Sequence, residues 1–205
     1  MRKLCFIIGA APFRGFTLPA LPSDLVIAAD AGFTRLFDLG VTGDLAVGDF
    51  DSLGAPPPGL PVLSVPAEKD ETDALLAVRE GMRRGYDAFV LLGCAAGRLD
   101  HTLANIQLLT FLAESGMRGL LLGDHFAATV IRDAALDFPA GLSGGLSVFC
   151  LGERAEGVTL TGLQYPLSKA ELSYDFPLGV SNAFTGRPAR VEVESGTLLV
   201  YWEMD

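Results

Sequence analysis

Apolar residues in this chain come in short runs whose spacing changes character near residue 125. Before that point, runs the length of a strand alternate with segments of helical period. Lys3–Ile8, Leu25–Ala29, Leu45–Val47, Val62–Val65, Ala88–Leu92 and Leu120–Leu122 read as strands, most of them closed by Gly or Asp. A Pro-rich stretch from Pro12 to Pro22 and the run Gly54-Ala55-Pro56-Pro57-Pro58-Gly59 read as loops. Gly32–Leu39 predicts a short helix stopped by Gly40. From Asp70 to Met82, Leu75, Val78 and Met82 share one helical face that leaves Arg79 and Arg83 outside; Asp70 is the expected N-cap and Gly85 the stop. A second helix is expected over Leu99–Ser115, with Leu99, Leu103, Ile106 and Leu109 as its apolar face and Gly116 as its end. Strands alternating with helices imply a mostly parallel sheet with helices packed on it.

Beyond His125 no helical period survives. Ala127–Ile131, Leu146–Leu151, Val158–Leu160, Val191–Val193 and Leu198–Trp202 read as strands separated by Gly and Pro, with Trp202 in the core. The expected fold is therefore α/β over residues 1–125, followed by a smaller all-β domain over 126–205, antiparallel and sandwich-like.

Composition narrows the possible functions. At 205 residues the chain is long enough to bury a real core, and half of its residues are hydrophobic. No apolar run reaches the roughly 18–20 residues that span a bilayer, and Met1–Gly9 reads as a first buried strand rather than a leader. Cys5, Cys94 and Cys150 are odd in number, far apart and set in apolar runs. That pattern speaks against a zinc site or a disulfide framework and for buried reduced thiols in the cytoplasm. Fifteen basic and 25 acidic residues give a net charge of −10 without a basic patch, so neither nucleic acid nor a membrane is an expected partner.

An acidic protein that handles phosphate needs cations to offset repulsion, which directs attention to the aspartates. Asp30 and the pair Asp49/Asp51 follow strands, Asp70 and Asp73 open a helix, and Asp100 follows a Gly-rich turn. Ligands of open parallel sheets bind beyond the carboxyl ends of the strands, where these residues are expected to converge. Asp49 and Asp51 are two apart and point the same way if the chain there is extended. Converging carboxylates form the oxygen-rich setting that suits Mg²⁺ completed by substrate phosphates. Turn formation and helix capping would equally account for Asp30 or Asp70 taken singly. The turn Gly93-Cys94-Ala95-Ala96-Gly97-Arg98 places backbone N–H groups, Gly97 and the Arg98 guanidinium where a phosphate could sit, or is an ordinary βα loop. The chain has no GxxxxGK[ST], so a P-loop kinase is excluded.

Taken together, Ala29-Asp30-Ala31-Gly32, Gly48-Asp49-Phe50-Asp51-Ser52, Lys69-Asp70-Glu71-Thr72-Asp73, Gly97-Arg98-Leu99-Asp100-His101, Gly162-Leu163-Gln164-Tyr165 and Gly179-Val180-Ser181-Asn182 resemble the thiamine pyrophosphokinase family in order and spacing. Two positions depart from the family pattern: Ala31 stands for a usual second Gly, and Ala183 for a frequent acidic residue. The resemblance implies a homodimer with composite sites and the transfer of diphosphate from ATP to the thiamine hydroxyl, giving thiamine diphosphate and AMP. It implies Asp49, Asp51 and Asp73 as Mg²⁺ ligands and Asp30 in the nucleotide site together with Asp70 and Gly97. Lys69 and Arg98 would offset charge on the transferred group, and Asp100 would orient or deprotonate the hydroxyl. Tyr165 would stack on the thiamine cation, or is a packed aromatic; Ser181 and Asn182 would bond the aminopyrimidine, or form a turn. The competing readings are a metal-dependent phosphohydrolase and a non-catalytic sensor of thiamine diphosphate or nucleotide.

Overall fold

The computed structural model describes residues 3–12, 18, 20–50, 58–64, 70–95 and 97–204. The chain divides into two compact units, Met1–Leu108 with Met117–Asp124, and Leu109–Gly116 with His125–Asp205. Among the described residues no helix is long and apolar enough to cross a membrane.

The first unit runs β1 (Cys5–Ile8), β2 (Leu25–Ala29), a 3-10 turn (Asp30–Gly32), α1 (Phe33–Leu39), β3 (Leu45–Gly48), β4 (Val62–Ser64), α2 (Asp73–Arg83), β5 (Ala88–Leu92), α3 (Leu99–Glu114), whose residues from Leu109 onward count with the second unit, and β6 (Arg118–Leu122). Its strands lie in the order β6-β5-β1-β2-β3-β4 and pair in parallel, with Cys5 registered against both Leu25 and Phe89. Every residue of β1, β2, β3 and β5 is buried, as a sheet covered on both faces requires. The chain winds outward from β1 through β4, then returns to the other side of β1 as β5. The strand order therefore reverses between β1 and β5, and the carboxyl ends at that reversal are where such a sheet opens a crevice.

The helices follow the sequence in length; α2 buries the expected Val78 and leaves Arg79 and Arg83 exposed, while α3 departs in part from the expected face. α2 is N-capped by Thr72, whose hydroxyl accepts from the Leu75 N–H at 3.3 Å, so Asp70 lies two residues before the cap rather than being it. Threonine in an extended conformation (φ −71°, ψ 153°) aims its oxygen at the first turn, and Asp70 precedes the position from which this is possible. The buried face of α2 is Ala77, Val78, Glu80 and Gly81, with Leu75 and Met82 at its margins. Gly81 allows that close approach, because a Cβ there would sit 2.7 Å from the Phe89 ring and 2.8 Å from the Cys5 sulfur. In α3 the buried stripe is Asn105, Leu108, Leu109 and Leu112, while the expected core residues Leu99 and Leu103 are exposed. A helical stripe tolerates a polar member when that member is bonded. The Asn105 amide donates to the Cys94 carbonyl at 2.7 Å.

Glu80 is buried and takes Arg83 through both oxygens (2.7 and 2.8 Å) and Arg84 through one (2.7 Å). The hydrogen bonds from Arg83, against the opposing effect of burial and with those of Arg84, lower its pKa from 4.5 to about 2. A carboxylate with a depressed folded-state pKa contributes stability that is full above about pH 4.5 and fades as the pH falls toward about 2. Glu80→Gln is expected to lose on the order of 1 kcal/mol near neutrality, since solvent screens both arginines. The deficit against wild type should shrink on acidification, as urea titrations at neutral and acidic pH would read.

The second unit is built of β7 (Phe126–Arg132), β8 (Ala135–Phe138), β9 (Gly145–Cys150), β10 (Arg154–Thr161), β11 (Leu167–Ser173), β12 (Asn182–Ala183), β13 (Ala189–Glu192) and β14 (Thr197–Glu203). Antiparallel pairing gives two layers, β12-β9-β14-β7 and β11-β10-β13-β8. Their inward residues, among them Phe138, Leu146, Val148, Val158, Leu160, Val191, Leu198 and Val200, form one apolar core of the sandwich type. Trp202 packs edge-on against Phe138 with centroids 5.3 Å apart, a core role as expected. All three cysteines are buried free thiols, and burial pushes Cys5 and Cys94 up to about 12, leaving them protonated and unreactive.

Candidate active site

Gly9 and Gly93 sit at the reversal between β1 and β5, and their backbones touch. A Cβ on Gly9 would lie 2.4 Å from the Gly93 carbonyl oxygen, and one on Gly93 would lie 2.5 Å from that of Gly9. The Gly9 N–H donates to Leu92 O at 2.7 Å and the Ala11 N–H to Gly93 O at 2.9 Å. These contacts join the loops after the two strands and form one side of a cleft of about 460 Å³. Asp30, Asp73, Gly97 and Arg98 line it, together with Thr72, Cys94, His101 and Asn105. Asp30, Asp73 and the Gly-rich turn, spread over some 70 positions of sequence, thus share one cavity, while Asp49, Asp70 and Asp100 are not in its wall.

Each aspartate is placed by its own local geometry. Asp30 follows β2 and opens the 3-10 turn with φ +46°, a left-handed backbone that carries strain in a residue other than glycine. Two glycines fit around it: a Cβ on Gly32 would stand 1.9 Å from Ile8 O, and one on Gly48 would stand 3.0 Å from Asp30 Cα. Asp49 leaves β3 half-buried. The strand ends at Gly48, and Phe50 takes φ +59° with its ring 2% exposed. The extended geometry expected to align Asp49 with Asp51 therefore does not hold at Phe50, where ring burial anchors the loop instead. Asp51 and Lys69 lie outside the described residues. Asp73 is the first residue of α2, where the helix dipole favours a negative charge. Asp70 is exposed and is not part of the cleft wall.

Gly97 turns the chain at φ +80°, and α3 starts two residues later. Arg98 and Asp100 form a forked pair, Nη2 to Oδ2 at 2.6 Å and Nε to Oδ1 at 3.2 Å, with both side chains about two-thirds exposed. The Arg98 hydrogen bonds hold the Asp100 carboxyl below its usual range, aided by the His101 N–H at 3.0 Å. Asp100 is thus an acceptor in this state, and it becomes more basic only when Arg98 turns elsewhere.

Tyr165, Ser181 and Asn182 belong to the second unit. Asn182 is buried, and its amide clamps the backbone of Tyr165: Oδ1 accepts from the Tyr165 N–H at 2.9 Å, and Nδ2 donates to the Tyr165 carbonyl at 2.7 Å. The Tyr165 ring is 59% exposed, so it is not a packed core aromatic. Ser181 is exposed at φ +63°, with its N–H donating to the Ser147 hydroxyl at 3.1 Å. The sequence reading missed the Ala10–Pro12 edge of the cleft, Thr72 as cap, and Asn105. A polar residue in the middle of the apolar face of α3 was the available signal for Asn105.

The family model described as thiamin pyrophosphokinase, catalytic domain, matches residues 20–120, and that described as thiamin pyrophosphokinase, vitamin B1 binding domain, matches 137–198. The chain belongs to the thiamine pyrophosphokinase family. A thiamine pyrophosphokinase of Bacillus subtilis (strain 168) is 28% identical over 188 residues, covering 88% of either chain. Among solved structures, a thiamin pyrophosphokinase from Geobacillus thermodenitrificans superposes with a TM-score of 0.84 at 26% identity over 98% of both chains. One from Bacillus subtilis reaches 0.88 at 24% over all of both chains, and one from Candida albicans 0.78 at 14% over 100% of this chain and 90% of its own. The last two, at such identity, speak to the fold alone. The cleft described above falls largely within the segment matched as catalytic domain, and Tyr165, Ser181 and Asn182 within the segment matched as vitamin B1 binding domain.

Proposed function

We propose that this chain is a cytoplasmic, Mg²⁺-dependent thiamine diphosphokinase that moves the terminal diphosphate of ATP to the hydroxyl of thiamine and releases AMP. The observation that carries the reading is the cleft at the β1/β5 reversal, where Asp30, Asp73, Gly97 and Arg98 meet within the segment matched as the family's catalytic domain. The donor set fits a hard cation. Among the described residues no three His, Cys, Asp or Glu side chains form a ready cage. Mg²⁺ does not need one, since it is held by one or two carboxylates and completed by water and phosphate. Asp73 and Asp49, with Asp51, would hold it, and the bound ion would neutralise the phosphates.

The chain's own groups do the rest. Asp30 and the Gly97 turn seat the nucleotide, with Asp70 at the approach. The thiamine oxygen attacks the β-phosphorus, the bond between the α- and β-phosphates breaks, and the α-phosphate leaves as AMP. Arg98 and Lys69 offset the charge that builds on the transferred group. When Arg98 turns from Asp100 to a phosphate, Asp100 is released to orient the hydroxyl and take its proton. Tyr165, exposed and held by Asn182, offers an aromatic face to the thiamine cation, and Ser181 and Asn182 border the ring. Positioning and charge neutralisation account for the catalysis, as in other phosphoryl transfers.

Acceptor dependence separates this reading from its rivals. AMP release from ATP should require thiamine. Orthophosphate released without acceptor would indicate a phosphohydrolase, and tight thiamine diphosphate binding without turnover would indicate a sensor. The working form is a homodimer in which one chain's aspartates face the other chain's Tyr165. A dimer purified through two tags, one chain Asp49→Asn and the other Tyr165→Ala, then has one doubly defective site and one intact site. It should recover about half of wild-type activity by the twofold symmetry; no recovery would put each site within a single chain.

A further inference from the structure

We infer that Asn105 is a positioning residue for the transfer step, acting through the turn that carries Gly97 and Arg98. The inference rests on the proposed diphosphate transfer. Asn105 lies a turn and a half into α3, on the helix face that otherwise buries Leu108, Leu109 and Leu112, and it is only 6% exposed. An amide at such a place is retained at a cost unless it is bonded. Its Nδ2 donates to the carbonyl oxygen of Cys94 at 2.7 Å, and Asn105 and Cys94 both line the cleft.

That carbonyl belongs to the turn leaving β5. On its upstream side the turn is fixed by the backbone contact of Gly93 with Gly9, and by the Ala11 N–H on Gly93 O. Downstream of Cys94 the chain must reach Gly97 at φ +80° and deliver Arg98 to the cleft. The Thr102 N–H and hydroxyl hold the Arg98 carbonyl from the start of the helix (3.2 and 3.3 Å), and the Asn105 bond ties the Cys94 end of the stretch to the body of α3. It therefore sets where the backbone after Cys94 lies, and with it the reach of Arg98. The tie needs a donor of this length: a carboxylate would face the carbonyl with a like partial charge, and a shorter side chain would not span the gap.

The test uses two variants of the full chain, Asn105→Asp, which keeps the shape and removes the donor, and Asn105→Ser, which removes it without adding charge. Thiamine-dependent AMP formation is followed at saturating ATP and Mg²⁺, on protein whose folded fraction is fixed by circular dichroism. A displaced turn is expected to lower kcat on the order of 10- to 100-fold in both variants. KM for thiamine should stay within about twofold, because the ring contacts lie elsewhere and only positioning at the reacting centre is lost. A folded Ser variant with wild-type kcat overturns the inference. So does a loss that appears only as a raised KM, or only as a lower melting temperature at unchanged kcat. If the Asp variant does not fold, the Ser variant decides alone. Wild-type protein that forms no AMP would instead reject the transfer reading itself, an outcome separate from either variant result.

Discussion

Asp73→Asn is expected to reduce turnover on the order of a hundredfold or more while leaving the protein folded. Asp73 lines the cleft at the first residue of α2, and the amide that replaces it has the same shape but no charge. Losing a negative charge from the first turn of a helix costs about 0.5 kcal/mol, too little to unfold the unit. The loss should therefore fall on chemistry, with a raised Mg²⁺ requirement if Asp73 is the hard anionic ligand proposed above. Asp49→Asn is expected to behave alike, and a double variant to lose little more than either single change, since both are proposed ligands of one ion. Steady-state rates across a Mg²⁺ titration check this. Near-normal kcat at saturating Mg²⁺ in either single variant would remove that residue from the metal site.

A large loss of stability is expected from Gly32→Ala. Its backbone at φ −57° suits any residue, so the substitution is governed by space alone. The new Cβ would stand 1.9 Å from Ile8 O and 2.7 Å from Ile8 C, both backbone atoms of the central strand that cannot rotate away. The turn that carries Asp30 would have to lift off β1, at about 3 kcal/mol or more. Gly40→Ala is the contrasting case. It has open space around its Cβ but a left-handed φ of +65°, so it should lose only about 1 kcal/mol. Urea unfolding of the two variants compares them directly. Equal losses would mean that the packing of the turn on β1 is not what holds Asp30.

The parallel half of the fold was legible because β1, β2, β3 and β5 are fully buried and read as unbroken apolar runs closed by Gly or Asp. The winding around β1 was not, since strand order depends on which runs pair. It is this reversal that joins Gly9 to Gly93 and opens the cleft. In the second unit β8, β11 and β12 escaped detection for a local reason. β11 has the polar sequence Leu167–Ser173, contains Lys169 at φ +47° and pairs with β10 through two register shifts, so its alternation is broken. The face of α3 was only partly legible: Leu109 is buried as expected, but Leu99 and Leu103 are apolar yet exposed, while Asn105 is polar and buried. Hydrophobic period assigns a helix its face only when burial follows polarity, and here a bonded amide reverses the rule. Of the residues singled out by strand-end and helix-start position, Asp30, Asp73, Gly97 and Arg98 line the cleft, whereas the clamp of Asn182 on Tyr165 requires the fold to bring positions 17 apart together.

The central claim is that a diphosphate, rather than a single phosphoryl group, is transferred. The most direct measurement is chromatography with mass detection of both products from one reaction containing ATP, Mg²⁺ and thiamine. The account predicts thiamine diphosphate and AMP in equal amounts from the first turnovers onward. Thiamine monophosphate accumulating with ADP would contradict it.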